Sequence, residues 1–185
     1  MLHAGRFGPP GERLTWINAA WAEQQPVAGR RARGEDVPVP SSPRRTLSAD
    51  DVAAWLVKTS LPPEELVDGW PPGDTRRLQR CLRASYRLDL MRAGQPCLLW
   101  LSGRDRPGVH AVGTIAGSPT TGAGGPEVPV TLRRLRRPVP RDLLLRSPAF
   151  AGAEVVRMPA GSNPSYLTAA QLSAVRDLLD EPYST

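Results

Sequence analysis

Arg76, Arg77, Arg80, Arg83, Arg87 and Arg92 fall in one stretch of the chain, with only Asp74 and Asp89 as counter-charges. A guanidinium offers paired N–H donors to phosphate oxygens, so this stretch is the natural candidate for a surface facing a nucleic-acid backbone, with Arg76, Arg77, Arg80 and Arg83 as its phosphate contacts. The total charge agrees in sign, at +6 with a pI near 10.3, but it carries less weight. Of the 24 basic residues only Lys58 is lysine, and such a bias, with abundant Ala, Gly and Pro, also follows from a GC-rich coding sequence.

Other chemistries find little material. The histidines are His3 and His110, with no Ser/His/Asp arrangement in a recognisable setting, so no general base stands out. Cys81 and Cys97 have neither CxxC spacing nor histidines beside them, which argues against a disulfide framework or a zinc site. Both read as small buried residues. No catalytic residue, metal ligand or cofactor is therefore assigned. No apolar run approaches the roughly 20 residues that span a bilayer, and the segment from Met1 to Arg6 lacks the apolar stretch of a signal peptide, so the expectation is a cytoplasmic, monomeric protein with no membrane partner.

The elements that must position these residues begin near residue 51. Residues 1–50 combine Gly/Pro punctuation with the basic cluster Arg30, Arg31 and Arg33 and with Pro38, Pro40 and Pro43, a composition expected to stay largely disordered. Within them the segment from Thr15 to Trp21 could dock Trp16 and Trp21 on the domain. Residues 51–182 form the expected domain. Val52 to Val57 reads as a buried strand that delivers Lys58, Thr59 and Ser60 at its polar end. Pro62, Pro63 and the acids Glu64 and Glu65 open a short helix that Gly69 ends.

The basic stretch from Arg76 to Arg92 reads as a helix, and the turn at Gly94 to Pro96 leads into a strand from Cys97 to Leu101. Val109, Ala111, Gly113 and Ile115 alternate with His110, Val112 and Thr114 as in a half-buried strand. Gly122 to Gly125 is a loop, and Val128, Val130 and Leu132 mark a strand placed at an edge by Pro129, which cannot donate to a ladder. Pro140 opens a helix through Leu145, and Glu154 to Arg157 reads as a brief strand. Thr168 and Gln171 have capping-box spacing ahead of a helix whose apolar face is Leu172, Val175, Leu178 and Leu179.

Five blocks, in order, resemble the EVE domain family: Trp55 to Ser60; Ser85-Tyr86-Arg87; Gly94 to Gly103; Gly108 to Ile115; and Arg157 to Thr168. The resemblance implies an α+β fold, a PUA-like small β-barrel with flanking helices, related to YTH and ASCH domains. It implies binding of DNA or RNA that carries a modified base, flipped into a barrel pocket. Positions that match the family's pocket are Lys58, Thr59, Ser60, Tyr86, Arg87, Trp100, Ser102, Ser162, Asn163 and Ser165. Base flipping costs a few kcal/mol. A pocket offsets that with stacking of roughly 1–3 kcal/mol per base and with charge on the backbone.

Each position also has a plainer reading. Trp55 and Trp100 lie in apolar strands, Tyr86 fits the core face of an amphipathic helix, Asn163 and Ser165 fit a turn, and Lys58 fits a solvated strand end. Where the family often carries an aromatic residue before the Tyr-Arg pair, this chain has Gln79-Arg80-Cys81, leaving Arg80 or Trp70 to form that wall. Two alternative functions stay open. One is an ASCH-like amidohydrolase acting on an acylated pyrimidine nucleoside through Lys58, Thr59 and Glu64 or Glu65. The other is a protein-interaction domain without nucleic-acid binding.

Overall fold

Strands β1 (Ala54–Thr59) and β3 (Pro96–Leu101) are continuous apolar runs and lie side by side in parallel, with Trp55 opposite Cys97 and Lys58 opposite Trp100. Apolar runs of this kind suit strands buried on both faces. The computed structural model describes residues 46–180, so the sequence readings on Trp16, Trp21 and the arginine cluster at residues 30–33 lie outside the described residues.

Around this pair the sheet takes the order β2-β6-β4-β3-β1-β7, with β2 Thr75–Cys81, β4 Gly108–Ile115, β6 Gly125–Pro140 and β7 Ser165–Leu167. A short β5 (Thr120–Gly122) pairs with the start of β6, so the segment at residues 122–125 is the turn of a hairpin. The helices are α1 Pro63–Leu66, α2 Arg141–Leu144, α3 Pro148–Ala151, α4 Glu154–Arg157 and α5 Ala169–Arg176. A 3-10 turn covers Tyr86–Leu90. This is the α+β class expected from the sequence.

The sheet divides two apolar clusters. Trp55, Val57, Cys97, Leu99, Ala111, Val128, Val130 and Leu132 form one, together with Trp70 and Met91. Leu56, Leu98, Trp100, Val112 and Val139 face the other way and are covered by Leu144, Phe150, Val155, Leu172 and Val175 from α2, α3, α4 and α5. Burying each of these larger side chains is worth about 1.5–3 kcal/mol. β4 is therefore buried on both faces, because α2 to α5 cover the side that period-2 reasoning assigns to solvent. The helices have local causes: Pro62 and Pro140 sit at the N-caps of α1 and α2, and Thr168 and Gln171 close a reciprocal capping box on α5.

Three sequence expectations are corrected. The basic helix over Arg76 to Arg92 is instead β2, a loop and the 3-10 turn. β2 alternates because Arg76, Leu78 and Arg80 stand opposite buried Leu132, Val130 and Val128, whereas Thr75, Arg77 and Gln79 face outward. Pro129 lies in β6 between β2 and β4, not at an edge. It is tolerated because the β4 ladder ends at Ile115 opposite Val130, and beyond that point Pro129 need only accept from the Ala116 amide. Glu154 to Arg157 is the α4 turn, not a strand.

Past Leu56, where its pairing with β7 stops, β1 approaches the end strand β2 without a ladder. The Asn163 carboxamide accepts from the Lys58 amide of β1 at 3.0 Å and donates to the Cys81 carbonyl of β2 at 3.1 Å. Its own carbonyl accepts from the Arg83 amide at 2.7 Å. One side chain thus closes the barrel seam.

Candidate functional site

β1 emerges from the core at Lys58, and the backbone continues through Thr59 and Ser60 along a cavity of about 370 Å³. Its other walls come from Leu82 and Arg83 after β2, Ser102 after β3, and residues 159–161 with Asn163 before β7. Two connections hold those walls in place. The Lys58 Nζ donates to the carbonyls of Pro159 and Gly161 at 3.1 and 3.2 Å, and the Ser102 amide donates to the Thr59 carbonyl at 2.8 Å. Gly161 is required by a close approach, since a Cβ there would lie 2.8 Å from the Met158 carbonyl oxygen.

The lining combines apolar surface from Leu82, Pro159 and Ala160 with a polar edge. Thr59 Oγ1 is committed to Leu61, accepting from its amide and donating to its carbonyl. The hydroxyls of Ser60 and Ser102 have no protein partner among the described residues and remain free to bond a ligand, as does the third N–H of Lys58. Burial pushes the Lys58 ammonium below its ordinary pKa, Glu154 opposes that shift, and Arg83 and Arg87 add to it. Arg83 stands at the rim, its guanidinium 3.5 Å from the Ala160 carbonyl.

Of the residues named from the sequence for the pocket, Lys58, Thr59, Ser60, Ser102 and Asn163 line this cavity, and Arg83, named as a phosphate contact, stands beside them. Tyr86 and Arg87 are not among them; they line a separate cavity. Arg87 meets Glu154 through both terminal nitrogens, at 2.7 and 2.8 Å, donates to the Pro164 carbonyl, and lies over the Tyr166 ring at 5.6 Å. Ser165 is buried behind this pair, donating to Glu154 at 2.6 Å. The bonds that Arg87 donates to Glu154 raise the Arg87 pKa. For Glu154, burial pushes upward, but the bonds from Arg87 and Ser165 outweigh it and hold the carboxyl below its ordinary value.

Trp100 takes the plainer of its two readings: it is 3% exposed and stacked on Phe150 at 6.1 Å. Trp55 is likewise core, with its indole N–H on Gln95. Ser162 is half-buried and belongs to neither cavity lining. The arginines assigned to phosphate do not share a face. Arg77 points outward, Arg76 pairs with Asp74 at 2.7 Å, and Arg80 is turned toward the barrel interior. There its Nε is buried without a partner, and desolvation lowers its pKa. Trp70 is no pocket wall either, being 1% exposed and bonded to the Asp74 carbonyl. Of the cysteines only Cys97 is buried, its thiol pushed up to about 12 by burial, whereas Cys81 is exposed at the cavity edge.

Glu154 escaped the sequence reading, although a signal existed. A single carboxylate inside the run Ala151-Gly152-Ala153-Glu154-Val155-Val156 must find a cation if it is to be buried, and Arg87 was available. Glu64 is held by Arg106 and Arg134 at 3.1 and 2.8 Å, away from Lys58 and Thr59. Among the described residues no cluster of three or more His, Cys, Asp or Glu side chains could hold a metal ion, and no helix is long and apolar enough to cross a membrane.

The class defined by this fold is α+β, a mixed seven-stranded sheet with short helices. No protein-family model matches the sequence, and no curated protein matches it. Solved structures do. PSPTO5229 from Pseudomonas syringae is similar with a TM-score of 0.53 at 14% identity, over 68% of this chain and 99% of that one. A Leishmania major protein gives 0.49 at 15% identity, over 69% and 94%. Human THYN1, in complex with DNA containing 5-methylcytosine, gives 0.46 at 16% identity, over 69% and 98%. At such identities the shared property is the fold, and the Pseudomonas syringae protein carries that statement.

Proposed function

We propose that the chain is an EVE-type binding module that takes a flipped, modified nucleobase of DNA or RNA into the cavity between Lys58 and Asn163. The observation that carries this reading is the make-up of that cavity. It pairs apolar surface on Leu82, Pro159 and Ala160 with the uncommitted hydroxyls of Ser60 and Ser102, and a cation, Arg83, stands at its mouth. Flat heterocycles with polar edges and a phosphate attached suit such walls. The lining holds no carboxylate and no imidazole, which favours binding over turnover and leaves the amidohydrolase alternative without a general base. The cavity is lined by one chain, so a monomer suffices.

The test is fluorescence anisotropy of the full chain with single strands, DNA and RNA, that differ only in one base: cytosine, methylated or hydroxymethylated cytosine, adenine or methylated adenine. Measurements at two salt concentrations separate backbone from base contributions. Preference for one modified base, reduced by Ser102→Ala and by Ser60→Ala, is the expected result. Binding indifferent to the base would reduce the protein to a basic surface, and absence of binding would return the interaction-domain alternative.

A further inference from the structure

Beyond the wall formed by residues 158–161 lies a second cavity, of about 530 Å³. Met158 lines this cavity and Pro159 lines the first, so the chain at these two residues is a wall common to both. Adjacent nucleotides of one strand can straddle a shared wall of this kind, because the backbone between them lengthens from its stacked rise once a base leaves the stack.

The chemistry of the second cavity differs from that of the first. Tyr86 is 48% exposed although its hydroxyl is held, accepting from the Leu47 amide at 3.2 Å. The ring is therefore fixed at its edge with surface left open. Met158, 52% exposed, adds a polarizable apolar surface on the same cavity. The lining carries two cations and two anions: Arg87 is paired with Glu154, whereas Asp51 keeps its charge while accepting from Ser48. Arg157 is exposed and makes no ion pair among the described residues, so its guanidinium is open to a ligand. An aromatic face, a thioether and one exposed, unpaired cation are what a base with its phosphate would engage.

We infer that this second cavity takes the nucleotide next to the flipped one, its base on Tyr86 and Met158 and its phosphate at Arg157; this rests on the base-binding reading above. The module then reads a two-nucleotide unit: the first cavity discriminates the modification, and the second supplies stacking that tolerates any base.

The experiment uses the full chain and the modified strand identified above, alongside strands with an abasic residue immediately on one side or the other of the modified base. One of the two abasic strands should bind roughly 5- to 150-fold more weakly, the equivalent of stacking worth about 1–3 kcal/mol. Tyr86→Ala should show the same loss with the intact strand and no further loss with that abasic strand, whereas Tyr86→Phe keeps the affinity. If Tyr86→Ala weakens intact and abasic strands alike, or neither abasic flank matters, the inference falls while the base preference stands. Loss of the base preference with the flank effect intact would overturn the base-cavity reading alone, and absence of binding to every strand would overturn both.

Discussion

Glu154 accepts both terminal nitrogens of Arg87, across 67 residues of chain, and joins α4 to the 3-10 turn that carries Tyr86. The pair is mostly shielded, with side-chain exposures of 12% and 15%. Removing one partner strands a charge where water cannot fully replace it. Glu154→Gln should cost about 1.5–3 kcal/mol at neutral pH. Urea unfolding of the variant measures this directly.

The same pair sets an acid limit. An unfolded glutamate titrates near 4.3, about the value below which the chain takes up protons. Folding holds Glu154 below that value, so the contribution is fully present above it and is lost as pH falls through the folded-state pKa. Wild type should therefore lose stability between neutral and acid pH faster than Glu154→Gln, the two curves converging at the acid end. Parallel curves would assign the acid sensitivity to other groups.

Asn163→Ala removes the side-chain bonds to Lys58 and Cys81 at the seam. At roughly 1 kcal/mol for each bond, a loss of about 2 kcal/mol is expected. Affinity for the preferred strand should fall as well, because Asn163 lines the cavity it closes. Thermal unfolding and anisotropy on the same sample separate the two effects.

Trp100 provides a control that distinguishes core from pocket. Trp100→Ala should cost about 3–5 kcal/mol, as for other large core truncations. Trp100→Phe, which keeps a ring against Phe150, should leave strand affinity unchanged. A selective loss of affinity in the folded Trp100→Phe variant would contradict the buried position described above.

Salt dependence should single out the arginines by orientation. Arg83→Ala ought to lower the slope of log K against log salt by about 0.7 for a single-strand contact. Arg80→Ala, its head turned toward the barrel interior, should leave that slope unchanged and alter stability instead.

Much of this was legible in the residues. β1 and β3 are announced by apolar runs that no solvent-facing strand would carry, and the capping box at Thr168 and Gln171 marks the start of α5. β2 was not legible, because its inward positions are Arg76, Leu78 and Arg80, and long arginine stems present no apolar period to read. Trp100 was ambiguous for a related reason: what buries it is Phe150, fifty residues on, in a helix of four residues too short to be announced by periodicity. The split between the two cavities depends on the path of residues 158–163, which follows from tertiary bonds to Lys58 and Arg83 that no local pattern encodes.

Asn163 also has a consequence for how the molecule moves. A ladder shares the work of closure among many rungs, but here the β1–β2 edge is joined through residues 159–163 by a handful of bonds from Lys58, Arg83 and Asn163, so breaking few contacts frees a margin of the sheet. Amide hydrogens of Lys58 and Arg83 should accordingly exchange with solvent well before those of Leu98 and Leu99 in the middle of the sheet, reporting a sub-global opening along that line. A base entering the cavity would do so along a line where no ladder has to break.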